Sequence, residues 1–84
     1  MTNNESLKKQ IIYRSLHRGF KEMDLLLGSF VKKNINKFNQ SELIDLKNLL
    51  FIEDEIIFNW YFKRKFDDSI PETKVSLMLK NFKI

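Results

Sequence analysis

The sequence predicts an all-α protein, a compact antiparallel bundle of five short helices, on three observations. Apolar residues make up 43% of its 84 residues and aromatics 13%, ample for one packed core and too much for a wholly disordered chain. Two glycines and one proline leave little material for turns. Apolar positions recur at helical spacing, and no segment shows sustained strand alternation. No repeat, low-complexity tract or linker interrupts the chain, so 1–84 reads as a single helical domain with residues 1–4 flexible.

Each element has its own signal. Leu7, Ile11, Ile12, Tyr13 and Leu16 predict a helix over about 5–17, with Leu7, Ile11, Arg14 and Arg18 along one stripe. The period restarts at Phe20, and Met23, Leu27, Phe30, Val31 and Phe38 share its face. Leu25 and Leu26 lie off that face, which predicts a central helix, apolar around most of its circumference. Gly28 inside it loses about 1 kcal/mol against alanine, tolerable where another helix approaches closely. At "FNQSEL" the chain breaks, and Ser41 or Asn39 caps a third helix carried by Leu43, Leu46 and Leu50.

The acids of "IEDE" suit the N-terminus of a fourth helix over about 54–65. Ile56, Ile57, Trp60 and Tyr61 line it, and Lys63, Arg64 and Lys65 close it at the negative end of the dipole. Pro71 suits the first turn of a last helix over about 72–83, preceded by Ser69 or Ile70 and faced by Val75, Met78, Leu79 and Phe82. Leu27, Phe30, Leu46, Leu50 and Phe82 are the expected core.

The absence of cysteine excludes disulfides and thiolate metal sites and fits a reducing compartment. The first ten residues lack a signal-peptide apolar region, and no apolar run approaches a membrane span, so a cytoplasmic protein without membrane insertion is expected. The net charge of +4 raises an alternative, a small basic helical nucleic-acid-binding protein. The excess is nearly all lysine, as A+T-rich codon usage favours. Neither Lys32, Lys33 and Lys37 nor Lys63–Arg64–Lys65 comes with an arginine-rich recognition helix or a stacking platform. Trp60, Tyr61 and Phe62 read as core aromatics, and no specific nucleic-acid binding is expected.

No catalytic residue and no metal site are expected. His17 is the only histidine and reads as a surface or packing residue, and no phosphate loop, Glu-x-x-His pair or calcium loop is present. Glu22 and Asp24, two apart, point about 200° from each other on a helix, so they cannot converge as an acid–base dyad.

What stands out is "RGFKEMD", residues 18–24, between the first two helices. Gly19 suits positive φ or a close chain passage. Asp24 lies about 40° from Phe20 on the second helix and needs a partner, for which Arg18 or Arg14 is available. Glu22 faces away with Leu25 and Ser29, towards solvent or another protein.

"RSLHRGFKEMDLLLGSF" resembles the signature of the succinate dehydrogenase flavinylation (assembly) factor family. Arg18, Gly19, Glu22 and Asp24 match its Arg-Gly-x-x-Glu-x-Asp motif, and Leu26, Leu27, Gly28 and Phe30 extend the match. "IEDEIIFNW" is similar to the family's acidic segment leading to a tryptophan, here Trp60, so the resemblance covers about residues 10–65. Phe20 stands where methionine is common, His17 where a second arginine is frequent, and Asn59 where aspartate often precedes the tryptophan.

The resemblance implies an assembly chaperone, not an enzyme, and a monomer is expected. It implies binding to the flavoprotein subunit of succinate dehydrogenase, and often of fumarate reductase, to promote covalent FAD attachment there. Arg18, Gly19, Phe20, Glu22 and Asp24 become the partner-binding residues, and no cofactor is stably bound by the chaperone itself. A plain interaction module without a flavin connection is a third reading.

Overall fold

The structure is a computed structural model that describes residues 3–83. Within it the apolar periodicity resolves into five helices and no strand: α1 (Asn3–Leu16), α2 (Lys21–Asn34), α3 (Gln40–Leu50), α4 (Asp54–Phe62) and α5 (Lys74–Lys80). A single 3₁₀ turn, Ile35–Lys37, follows α2. Helix α1 packs against α2 and α3, and α3 packs in turn against α5. The all-α fold expected from the periodicity is the fold observed.

The stripes meet in one core. Ile11 from α1, Leu26, Leu27 and Phe30 from α2, Leu43 and Leu46 from α3, Ile57 from α4 and Leu79 from α5 are all essentially inaccessible to solvent. Leu27, Phe30, Leu46 and Leu50 are buried as expected, whereas Phe82 is only half-buried. It lies past the end of α5 with its ring edge-on to Phe30, and its carbonyl accepts a hydrogen bond from the Tyr61 hydroxyl. Leu25 is exposed, so α2 buries one broad face rather than most of its circumference.

Local chemistry sets the helix ends. Helix α1 begins at Asn3, earlier than the expected 5, so Asn3 and Asn4 are helical; residues 1 and 2, expected to be flexible with them, lie outside the described residues. Helix α2 stops at Asn34, four residues before Phe38. The buried Asn34 amide donates to the Phe30 carbonyl at 2.9 Å, and Phe38 is extended. Asn39, not Ser41, caps α3: its side chain accepts from the Glu42 N–H at 2.8 Å, and Glu42 accepts from the Asn39 N–H at 2.9 Å.

Helix α4 ends at Phe62, so Lys63, Arg64 and Lys65 follow its last turn instead of forming it. Arg64 takes a left-handed φ of 57°, and the N–H groups of Lys63 and Lys65 both donate to the Asn59 carbonyl. Of the three aromatics assigned to the core, Trp60 is buried, Tyr61 half-buried and Phe62 40% exposed. Helix α5 starts at Lys74 with Thr73 as its cap, because Thr73 and Ser76 exchange side-chain and backbone hydrogen bonds. Pro71 therefore precedes the helix rather than opening it.

Gly28 answers to packing. A Cβ there would meet the Leu16 side chain at 3.1 Å, and the Ser15 carbonyl lies 3.9 Å away, so α1 crosses α2 at this point as the sequence suggested.

Candidate functional site

Residues His17–Phe20 carry the chain from α1 into α2, and two carboxylates, those of Asp24 and Asp54, decide how they are used. Asp24, in the first turn of α2, accepts a hydrogen bond from the Arg18 backbone N–H at 2.8 Å. Its partner is thus Arg18, as one reading allowed, but through the peptide and not the guanidinium. Arg14, the other candidate, holds its guanidinium 4.1 Å from the centre of the Phe51 ring.

The guanidinium of Arg18 belongs to Asp54, 36 residues away at the start of α4. Nε and Nη2 approach Asp54 Oδ1 at 2.7 and 2.6 Å. Nη1 donates to the carbonyls of Arg14 and Leu50, and Nη2 to that of Ile52. Each of the five N–H donors of the fork has an acceptor, and the side chain is only 9% exposed. The other oxygen, Asp54 Oδ2, accepts from the Gly19 N–H at 2.6 Å. One carboxylate thus clamps both residues of the Arg-Gly pair onto the α3–α4 junction.

The acids before α4 suit a helix N-terminus, as the sequence indicates, but the clamping role of Asp54 was not legible there. Its signal was indirect: one of only three arginines in the chain, and an acidic segment elsewhere in it.

Gly19 does not have positive φ, contrary to the first explanation offered for it. Nor does the fold press on it, since a Cβ would meet Asp54 Oδ2 at 3.4 Å, an ordinary contact. Gly19 is exposed, and nothing among the described residues requires it to be glycine. Phe20 is 41% exposed at the N-cap position, its ring edge-on to Phe58 with centroids 5.8 Å apart. Glu22 is exposed on the first turn of α2 and enters no ion pair or hydrogen bond among the described residues.

The five sequence-nominated residues are therefore contiguous but unlike. Gly19, Phe20 and Glu22 present themselves outward, while the Arg18 side chain and Asp24 build the support beneath. His17, beside them, stacks on Tyr13 with ring centroids 4.0 Å apart and places Nδ1 2.8 Å from the Tyr13 carbonyl, as a packing residue would. No cluster of three His, Cys, Asp or Glu side chains suited to a metal exists among the described residues, and none of their helices is long and apolar enough to cross a membrane.

Fold and site together define a small all-helical protein whose distinctive feature is a braced Arg-Gly turn with an exposed glycine, phenylalanine and glutamate. The chain belongs to the "Flavinator of succinate dehydrogenase" family, whose model matches residues 9–83. The match extends through α5, past residue 65 where the motif resemblance stops.

Among curated relatives, the chain is 43% identical over 76 residues to the mitochondrial succinate dehydrogenase assembly factor 2 of Dictyostelium discoideum, covering 90% of this chain and 52% of that one. It is 33% identical over 78 residues to the FAD assembly factor SdhE of Acetobacter pasteurianus, covering 93% and 69%. It is 38% identical over 72 residues to the mitochondrial succinate dehydrogenase assembly factor 2 of Saccharomyces cerevisiae, covering 82% and 44%. The chain spans about half the length of the Dictyostelium relative. No solved structure matches it significantly.

Proposed function

We propose that this chain is an assembly factor that binds the flavoprotein subunit of succinate dehydrogenase and promotes covalent attachment of FAD to it. The observation that carries this reading is Gly19, exposed beside Phe20 and Glu22 and required by neither backbone conformation nor internal packing. A residue that the fold leaves free to be larger is kept small by something outside the fold, and close passage of a partner backbone is the simplest such demand. Family membership supplies the partner: the relatives are named for FAD assembly and for succinate dehydrogenase.

The factor acts as a monomer, holds no cofactor of its own and is not an enzyme; the bonding chemistry stays with the flavin and the subunit that receives it. Its contribution is preferential binding to the attachment-competent conformation. A differential affinity of about 1–3 kcal/mol moves that equilibrium by roughly 5- to 150-fold. Arg18, Asp24 and Asp54 hold the turn in shape, so binding involves little reorganisation.

The experiment pairs a melting curve with capture and flavinylation of the subunit. Gly19→Ala and Glu22→Ala should melt within about 0.5 kcal/mol of the parent, as exposed unstrained sites do. Glu22→Ala should lose capture and lower the covalent flavin content. Gly19→Arg should do so more severely, by placing bulk where the partner approaches. Asp24→Ala should lose stability as well, because it leaves the Arg18 N–H without its acceptor. Full flavinylation supported by well-folded Gly19→Arg and Glu22→Ala proteins would remove the turn from the binding surface.

A further inference from the structure

The surface around the Arg-Gly turn does not stop at Phe20. The Phe20 ring meets Phe58 edge-on at 5.8 Å, and Phe58 meets Phe62, one helical turn along α4, at 4.8 Å. Both spacings are those of interacting aromatic pairs. Phe58 is half-buried, but Phe20 and Phe62 are 41% and 40% exposed. Three rings thus run from the Arg-Gly turn along α4, steadied by one another and by the core beneath. Aromatic side chains already held in place lose little entropy when a partner covers them, and such residues dominate interface energetics.

The strip has opposite charge at its two ends. Exposed Glu53 and Glu55 flank Asp54, which binds the Gly19 N–H, and exposed Glu22 lies on the adjoining turn of α2; exposed Lys21 beside it offsets one of these three exposed carboxylates and leaves the end net acidic. At the far end, α4 terminates at Phe62 and exposed Lys63 and Lys65 follow immediately. Neither lysine lies within ion-pair distance of a carboxylate among the described residues. Arg64 is drawn back, its guanidinium donating to the Lys80 carbonyl at 3.3 Å and lying 6.0 Å from the Tyr61 ring centre. The nine residues of α4 separate the poles by roughly 13 Å.

We infer that Phe20, Phe58 and Phe62, with Lys63 and Lys65 at their end, form a second half of the docking surface. It fits a protein partner that offers an apolar depression bordered by carboxylates on the lysine side. This rests on the proposed function for the partner's identity, the flavoprotein subunit. The acid-to-base polarity favours a folded protein of matching polarity, which would be oriented by it, over a lipid surface or nucleic acid, whose uniform negative charge the Glu22, Glu53 and Glu55 end repels.

The test measures binding of the full chain to the purified flavoprotein subunit, with a melting curve for each variant. Phe62→Ser should weaken binding about tenfold or more with little change in melting, while Phe62→Leu, which restores an apolar contact, should stay within about threefold of the parent. Lys63→Glu with Lys65→Glu should weaken binding and flatten its dependence on ionic strength.

Parent-like binding by Phe62→Ser and by the double lysine variant, with binding lost in Gly19→Arg, overturns the strip and leaves the Arg-Gly reading standing. Parent-like binding by all of them, Gly19→Arg included, overturns both. Retention of the parent on phosphatidylglycerol vesicles, lost in the double lysine variant while subunit binding is untouched, reassigns the basic end to lipid and overturns the inference.

Discussion

Replacing Asp54 by alanine tests whether the Arg-Gly turn is held from across the molecule. The substitution removes a carboxylate that accepts from Arg18 Nε at 2.7 Å, from Arg18 Nη2 at 2.6 Å and from the Gly19 N–H at 2.6 Å. Bonds to a charged group contribute about 1.5–3 kcal/mol each, but they do not simply add, because Arg18 keeps carbonyl acceptors on Arg14, Leu50 and Ile52. What remains is a guanidinium on a side chain 9% exposed, without its counter-charge.

Removing one partner of a fully buried pair costs about 3–5 kcal/mol. Asp54, at 18% exposure, lets water replace part of what is lost. The expected loss is therefore about 2–4 kcal/mol. In a domain of this size each kcal/mol moves the Tm by about 4–8 °C, so even the smaller loss is a fall of about 8 °C. Thermal unfolding followed by circular dichroism reads it directly. Asp54→Asn, which keeps the shape but not the charge, should fall between alanine and the parent. Combining Asp54→Ala with Arg18→Leu should recover part of the loss, because no buried charge is then left unpaired. An Asp54→Ala protein melting within about 0.5 kcal/mol of the parent would refute the clamp, since that is how an ordinary surface position behaves.

Leu27→Ala, at a fully buried position, should lower stability by about 2–5 kcal/mol in denaturant titration with the helical spectrum retained. Gly28→Ala should come out near neutral, the gain of about 1 kcal/mol in helix propensity offsetting a 3.1 Å approach to the tip of Leu16, which is 52% exposed and free to give way; a bulkier Gly28→Leu should destabilise. Glu42 has its carboxyl held below its ordinary value of 4.5, first by the Asn39 N–H and then by Lys74. A folded-state pKa below the unfolded one means stability present above 4.5 and lost as pH falls through that value towards the folded pKa. The Tm difference between parent and Glu42→Gln should accordingly be constant near neutrality and shrink below 4.5; a difference that grows on acidification would contradict the sign.

Much of this was legible in the residues because it is local. Helical periodicity is a property of neighbours three and four apart, so the five helices and most of the core followed from where leucine, isoleucine and phenylalanine recur. The cap at Asn39 was legible as one of two candidates, and only the Glu42 reciprocity chose between them. The Arg-Gly turn was legible as a motif at odds with its apolar flanks.

Tertiary structure decided what depends on which faces meet. The choice of Asp54 for Arg18 spans 36 residues and has no periodic signature; it exists because α4 begins where α1 ends in space. Gly19 looked like a conformational glycine from its place in a turn, and only the backbone revealed that its φ is ordinary and that a Cβ there would make no more than an ordinary contact. Phe62 read as core by composition and emerges half outward, because α4 stops there and the chain turns at Arg64. Sequence by itself determined which residues prefer a buried helical face, because that preference is written in hydrophobicity and spacing. The three-dimensional packing determined which charges pair and which rings remain uncovered, because both depend on distances between segments that the chain brings together only when folded.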